Sequence, residues 1–297
     1  MERWDTVQKR TPSKGAYLEH IFVLRAAVET KDVALFNDVA LRLTSAEYAV
    51  YFRGSEHKLL NNWAILLRHQ NAFEQSRRAY ECAKDIAFAN EDTEQVVKIA
   101  LNLHSILLKQ GKLDEAKEVL REVEILSKET AYSTRLSHKL GMYYQAEKDY
   151  ERASEFYQQA FVRFSLAHDF ERAAISGLNL LHVQLVQRNR VGFWRYAQSV
   201  KEIIQQVPRN NSQYLLHFSV MQKIVEVMAF EFSKERANLP EHWQEMMFKY
   251  GLNEEVELYR AMIGLTSGYV QQTSNTKRQV RNEVLPTPSW YLNYCQQ

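Results

Sequence analysis

The most informative segment of the sequence runs from Leu140 to Ala160 and reads LGMYYQAEKDYERASEFYQQA. Its apolar and small residues recur at spacings of three and four, which predicts two helices joined by a short polar link. Ala153, Tyr157 and Ala160 fall on one face of the second helix. The small residues Gly141, Ala153 and Ala160 would let two helix backbones approach closely, with the tyrosines filling the space beside them.

The same frame recurs along the chain. Ser76, Ala116 and Phe193 occupy the place of Ala153 in three further copies, so the equivalent positions are 76, 116, 153 and 193. Their separations are 40, 37 and 40 residues. Self-similarity at such a period indicates a stacked helical-repeat protein, because each helix pair buries its apolar face against the next pair.

The repeated unit resembles the tetratricopeptide repeat, a helix–turn–helix unit of about 34 residues. The match rests on six positions: Leu140, Gly141, Tyr144, Ala153, Tyr157 and Ala160. The chain departs from the family at Ser137 and Ser165, where the family has tryptophan and proline. Because the separations exceed the family period, we expect longer helices or connectors. The resemblance covers about residues 57–207 and implies an all-α, right-handed superhelical solenoid whose first helices line a concave groove.

Composition agrees with an all-helical chain. Only 9 glycines and 5 prolines occur in 297 residues, too few for the turns of a sheet protein or the glycine loops of a nucleotide-binding fold. We divide the chain into atypical N-terminal helical hairpins at 1–56, repeats at 57–207 and capping helices at 208–271. The remainder, 272–297, is expected to be an extended tail.

Several function classes are disfavoured. Lys and Arg number 38 against 36 Asp and Glu, a formal charge of +2 that excludes polyanion binding through bulk charge. The sequence contains no P-loop, dinucleotide-binding glycine motif, nucleophile elbow or zinc-ligand spacing, so we predict no enzyme activity, no cofactor and no metal. No membrane span or secretory signal is evident, which favours the reducing cytoplasm. We interpret Cys82 as a small buried thiol and predict no disulfide framework.

Polar residues recur at two positions of the predicted first helices. The second position reads Lys58, Lys98, Arg135 and Ile175, and the sixth reads Asn62, Asn102, Lys139 and Asn179. The two positions are one helical turn apart and point the same way. The candidate ligand-binding residues are therefore Lys58, Asn62, Lys98, Asn102, Arg135, Lys139 and Asn179.

Their chemistry suits a peptide ligand. An asparagine amide can pair with both the N–H and the C=O of an extended backbone. Basic residues would attract a carboxylate or an acidic side chain. The alternative is that these residues are the solvated face of a helix, in phase by chance or through a shared ancestor.

Two peptide-binding groups are similar in part. Chaperone-binding tetratricopeptide domains use a carboxylate clamp, and Asn102, Arg135 and Lys139 match three of its positions. Asn61 and Ile65 occupy the other two positions and do not match. The peptide-pheromone receptors of the Rap, Rgg, NprR, PlcR and PrgX group hold short peptides through groove asparagines, in the style found here. A phosphatase activity known in some of those receptors is supported by no motif in this chain.

We therefore expect a non-catalytic helical-repeat protein that recognises a peptide or protein segment in its concave groove, with a peptide-sensing regulator as the sharper version. One alternative is a structural adaptor that uses second-helix surfaces, for instance around Arg77 or Lys117. Another is a nucleic-acid-binding regulator using Lys277, Arg278 and Arg281, which the balanced charge disfavours. Exposed helix edges are compatible with a homodimer.

The tail has its own character. Residues 285–292 are apolar and aromatic, and Pro286 and Pro288 are expected to keep them extended. We expect this stretch to pack on the last helices of its own array. Docking in the groove of the same or another chain, or contact with a partner, are the alternatives.

Overall fold

The chain folds into helices throughout its described part. The computed structural model describes residues 11–127, 132–208, 211–228 and 284–295, and no strand occurs within these ranges. The thirteen helices found there are α1 (Lys14–Thr30), α2 (Val33–Leu43), α3 (Ala49–Phe52), α4 (Glu56–His69), α5 (Phe73–Ala89), α6 (Thr93–Lys109), α7 (Leu113–Leu126), α8 (Ser133–Ala146), α9 (Tyr150–Leu166), α10 (Phe170–Val186), α11 (Arg190–Gln205), α12 (Ser212–Met228) and α13 (Ser289–Leu292).

Helices that follow one another in sequence pack against one another. Contacts divide the chain into a first unit, Met1–Tyr132 with Gln279–Gln297, and a second unit, Ser133–Arg278. In the first unit α4 packs on α5, α5 on α6 and α6 on α7; in the second, α8 to α12 follow the same order. This is the packing of a helical-repeat solenoid, and the predicted all-α class is confirmed.

The turns between helices share one design. A residue with positive φ ends a helix, and the next helix begins a few positions later; such residues are Lys31, Asn71, Glu91, Gly111, Lys148, His168 and Arg188. In five cases an Asp or Asn side chain then caps the next helix by accepting a hydrogen bond from a backbone amide (Asp32, Asp92, Asp149, Asp169 and Asn189). Helices of 14 to 17 residues with these turns give the observed period of 40 from 71 to 111 and from 148 to 188.

The segment from Leu140 to Ala160 packs as its residue sizes predict. It forms the second half of α8 and the larger part of α9, and Ala153, Tyr157 and Ala160 are buried where the two helices meet. A Cβ atom on Gly141 would lie 2.6 Å from Cδ1 of Tyr157, so the glycine makes room for the ring. The Tyr157 hydroxyl donates a 2.8 Å hydrogen bond to Oε1 of Gln145, which satisfies the polar end of the buried side chain.

Two expectations about the cysteines and the tail are wrong. Cys82 on α5 forms a disulfide with Cys295, 213 positions away in sequence. A pairing of this kind depends on where the tail packs, and the spacing of the cysteines carries no signal of it. The tail is also not wholly extended: α13 begins directly after Pro288, which can precede a first turn because that turn needs no N–H from it.

The remaining expectations concern the N-terminal hairpin, the C-terminal cap and membrane-spanning helices. The predicted N-terminal hairpin is present as α1 and α2. Most of the predicted cap at 208–271 lies outside the described residues, as do Lys277, Arg278 and Arg281. Within the described ranges, no helix combines the length and the apolar character that a bilayer crossing requires.

Candidate functional site

The first four candidate residues lie on two neighbouring first helices of the first unit. Lys58 and Asn62 belong to α4, Lys98 and Asn102 belong to α6, and these two helices contact each other. Lys58 is exposed and the other three are partly exposed, although most residues around them are buried. None of the four is sealed in the core; together they are called the first-unit row.

The two lysines of the first-unit row act on the same imidazole. Burial lowers the pKa of His57, and Asp92, whose Oδ2 lies 3.5 Å from Nε2 of His57, opposes this effect. Lys58 and Lys98 both contribute to the lowering of this pKa. Glu56 opposes them, as Asp92 does, so two cationic and two anionic side chains act on this imidazole.

An amide contact joins the two helices beside these lysines. Nδ2 of Asn102 donates a 3.1 Å hydrogen bond to Oδ1 of Asn61, whose residue is only 4% exposed. From the sequence, Asn61 is only a mismatch to the carboxylate clamp. No local signal indicated its role, because the contact depends on the distance and rotation between α4 and α6.

The other three candidates lie in the second unit and form the second-unit row. Arg135 and Lys139 belong to α8, Asn179 belongs to α10, and all three are partly exposed. Beside them, Nδ1 of His138 lies 2.9 Å from Oγ of Ser176, which connects α8 to α10. Each row therefore lies within one unit and forms a surface of its own.

Three histidines border the second-unit row, and burial keeps them neutral. Desolvation lowers the pKa of His138 to about 3 and the pKa values of His182 and His217 to about 4. Near neutral pH the positive charge of this surface therefore comes from Arg135 and Lys139. The amino-acid pattern carries no signal of how strongly burial affects these histidines.

The pairing of His138 with Ser176 differs from that of an activated nucleophile. The Ser176 hydroxyl donates a 2.9 Å hydrogen bond to the carbonyl oxygen of Arg172, so its proton is directed away from the imidazole. A histidine whose pKa is about 3 is also a weak base. The contact positions the two helices rather than preparing a serine for attack.

The tail packs in the first unit. Residues 284–295, called the C-terminal segment, lie against α2, α4 and α5. A cleft of about 900 Å³ remains between the segment and these helices. Its lining includes Trp63, Arg78 and Glu81 and none of the first-unit row. The segment therefore covers a surface distinct from the row.

Arg77 and Lys117, on the second helices α5 and α7, differ in their surroundings. Arg77 donates hydrogen bonds to Glu74 and Glu81 on its own helix, and its Nη1 lies 3.6 Å from Oε2 of Glu115 on α7. Its guanidinium therefore holds helices together. Lys117 on α7 is exposed and is the better probe of that surface.

Comparison with known proteins adds little to this geometry. No family model and no curated protein matches the sequence. Among solved structures, that of BtubC (BKLC) from P. vanneervenii is similar, with a TM-score of 0.49 and 19% identity over 70% of this chain and 91% of BtubC. The helical-repeat architecture rests on the structure itself, and the tetratricopeptide resemblance stays a prediction from the residues.

Proposed function

We propose that this protein is a non-catalytic helical-repeat binding protein that recognises an extended peptide or protein segment along its first helices. The observation that carries the proposal is the first-unit row. Its lysines and asparagines lie on two first helices, α4 and α6, that contact each other and are joined by the amide hydrogen bond from Asn102 to Asn61. A peptide-sensing regulator is the more specific form of this function.

The side chains suit a ligand that offers main-chain groups and a negative charge. An amide donates and accepts at once, so Asn62 can pair with a backbone irrespective of the ligand's sequence. Lys58 and Lys98 would attract a C-terminal carboxylate and accelerate encounter. Because His57 stays neutral near pH 7, it adds neither repulsion nor attraction for that carboxylate.

The test is a titration of short random-sequence peptides into the full-length protein, once with free C-terminal carboxylates and once amidated. We expect the free-carboxylate pool to bind more tightly. Asn62→Ala should weaken it by about two- to tenfold, the equivalent of one neutral hydrogen bond. Asn62 is a better choice than Asn102, because an alanine at 102 would also remove the hydrogen bond to Asn61.

Lys58→Ala and Lys117→Ala form a matched pair. Both remove an exposed lysine, one from the first helix α4 and the other from the second helix α7. We expect Lys58→Ala to reduce the preference for a free carboxylate and Lys117→Ala to leave it unchanged. Equal affinity of wild type, Asn62→Ala and Lys58→Ala would remove the first-unit row from the function. A dominant effect of Lys117→Ala would support the adaptor instead.

A further inference from the structure

The surface under the C-terminal segment contains a group that holds peptide backbone. Nε2 of Gln75 donates a 2.7 Å hydrogen bond to the carbonyl oxygen of Leu285, and the Leu285 N–H donates a 2.8 Å hydrogen bond to Oε1 of Gln75. One side-chain amide therefore satisfies both main-chain groups of one residue. Such pairing recognises an extended chain whatever its side chain.

The segment's specificity comes from a tryptophan. Trp290 is 2% exposed, and its indole Nε1–H donates a 3.1 Å hydrogen bond to Oδ1 of Asn37 on α2. Its ring centroid lies 5.8 Å from that of Trp63 and 6.1 Å from that of Phe36. An aromatic side chain that buries its ring and satisfies its N–H is the usual anchor of a peptide interface.

Outside these anchors the segment is less closely packed. The cleft of about 900 Å³ separates part of the segment from α4 and α5, and Val284 and Leu292 remain exposed. The third firm attachment is covalent, the Cys82–Cys295 disulfide. Both cysteines line the cleft and Cys82 is partly exposed, so a small reductant has a route to the sulfur atoms.

We propose that this surface of α2, α4 and α5 is a second peptide-binding site, separate from the first-unit row, and that the disulfide controls access to it. Its ligand is an extended, proline-containing peptide followed by a tryptophan on a short helical turn. The chain's own C-terminal segment is the occupant in the oxidised protein. After reduction, the segment is held only by its noncovalent anchors, and a peptide of the same chemistry competes for the site.

The opening step is a thiol–disulfide exchange with a dithiol reductant. A thiolate of the reductant attacks one sulfur and breaks the Cys82–Cys295 bond, and the second thiol of the reductant then resolves the mixed disulfide. Two electrons and two protons pass to Cys82 and Cys295, which become thiols, while the dithiol becomes a disulfide. Loss of the covalent bond lowers the effective concentration of the segment at its own site.

The experiment uses full-length protein and a fluorescent peptide of residues 284–295 carrying Cys295→Ser, with binding followed by polarisation. Alkylation and intact mass first count the free thiols, and we expect none in the oxidised protein. Binding should be at least about tenfold tighter to the dithiol-reduced protein and to the Cys295→Ser chain than to oxidised wild type. A peptide that also carries Trp290→Ala should lose at least about tenfold in affinity, and Gln75→Ala in the protein should weaken binding.

Three results would overturn the proposal. The first is equal peptide binding to oxidised and reduced protein, and the second is the presence of two free thiols in the oxidised sample. The third is no binding even to a Cys295→Ser/Trp290→Ala chain, whose own segment has lost two anchors; circular dichroism would verify that this chain is folded. Lys117→Ala serves as the control, since this exposed residue of α7 belongs to neither surface and its replacement should leave binding of the peptide unchanged.

Discussion

Gly141→Ala offers a direct test of how the helix pairs pack. The added Cβ would lie 2.6, 2.8 and 2.9 Å from three ring atoms of Tyr157. That ring is 1% exposed and its hydroxyl is bonded to Gln145, so it has little room to move away. Overpacking of this kind costs about 1 to 3 kcal/mol. Replacing a mid-helix glycine by alanine stabilises the helix by about 1 kcal/mol. We expect the net result to be a loss of up to about 2 kcal/mol.

Gly15→Ala is the matched control. Gly15 lies near the start of α1, is exposed, and the nearest atom to an added Cβ would be Oγ of Ser13 at 3.9 Å. The same substitution should therefore stabilise the protein there, by up to about 1 kcal/mol. Identical chemistry gives opposite signs at the two sites because only Gly141 faces a confined ring.

Urea unfolding followed by circular dichroism measures the free energies, and hydrogen exchange assigns the change to α8 and α9. In a double-mutant cycle, the cost of Gly141→Ala should largely disappear in a Tyr157→Leu background, since the ring is then absent. If Gly141→Ala stabilises the protein as much as Gly15→Ala does, the close approach of α8 and α9 is not what the glycine provides.

Two further predictions concern pH and capping. In the folded protein the pKa of His138 is about 3, against an ordinary value of 6.5, so the unfolded chain binds the proton more readily. The contribution of this group to the free energy of unfolding is therefore fully present above pH 6.5 and is lost as the pH falls towards 3. The loss is up to about 1.4 kcal/mol per pH unit. His138→Gln should reduce that slope in urea unfolding between these pH values, and equal slopes would contradict the argument. Asp149→Ala removes the side chain that accepts from the Arg152 amide at 3.2 Å and should cost about 1 kcal/mol. Glu147→Ala, an exposed change nearby, should stay within about 0.5 kcal/mol in the same unfolding assay, and a cap that costs no more than this control would be dispensable.

Much of the site's framework could be predicted from local patterns. Helical periodicity alone places Lys58 and Asn62 on one helix face, and Lys98 and Asn102 on another. In the structure all four residues are at least partly exposed. The hydrogen bond from Asn102 to Asn61 could not be predicted, because it depends on the distance and rotation between two helices. The same holds for the burial that lowers the pKa values of His138, His182 and His217.

The amino-acid sequence by itself determined the helix pairs and their period. Small residues at Gly141 and Ala153, capping side chains such as Asp149, and apolar spacings of three and four act between residues close together in the chain, so they can be recognised without coordinates. Tertiary structure alone decided which surface the C-terminal segment covers and that Cys82 meets Cys295. The physical reason is that contacts between residues more than 200 positions apart follow from the complementarity of two folded surfaces, and no local periodicity encodes that complementarity.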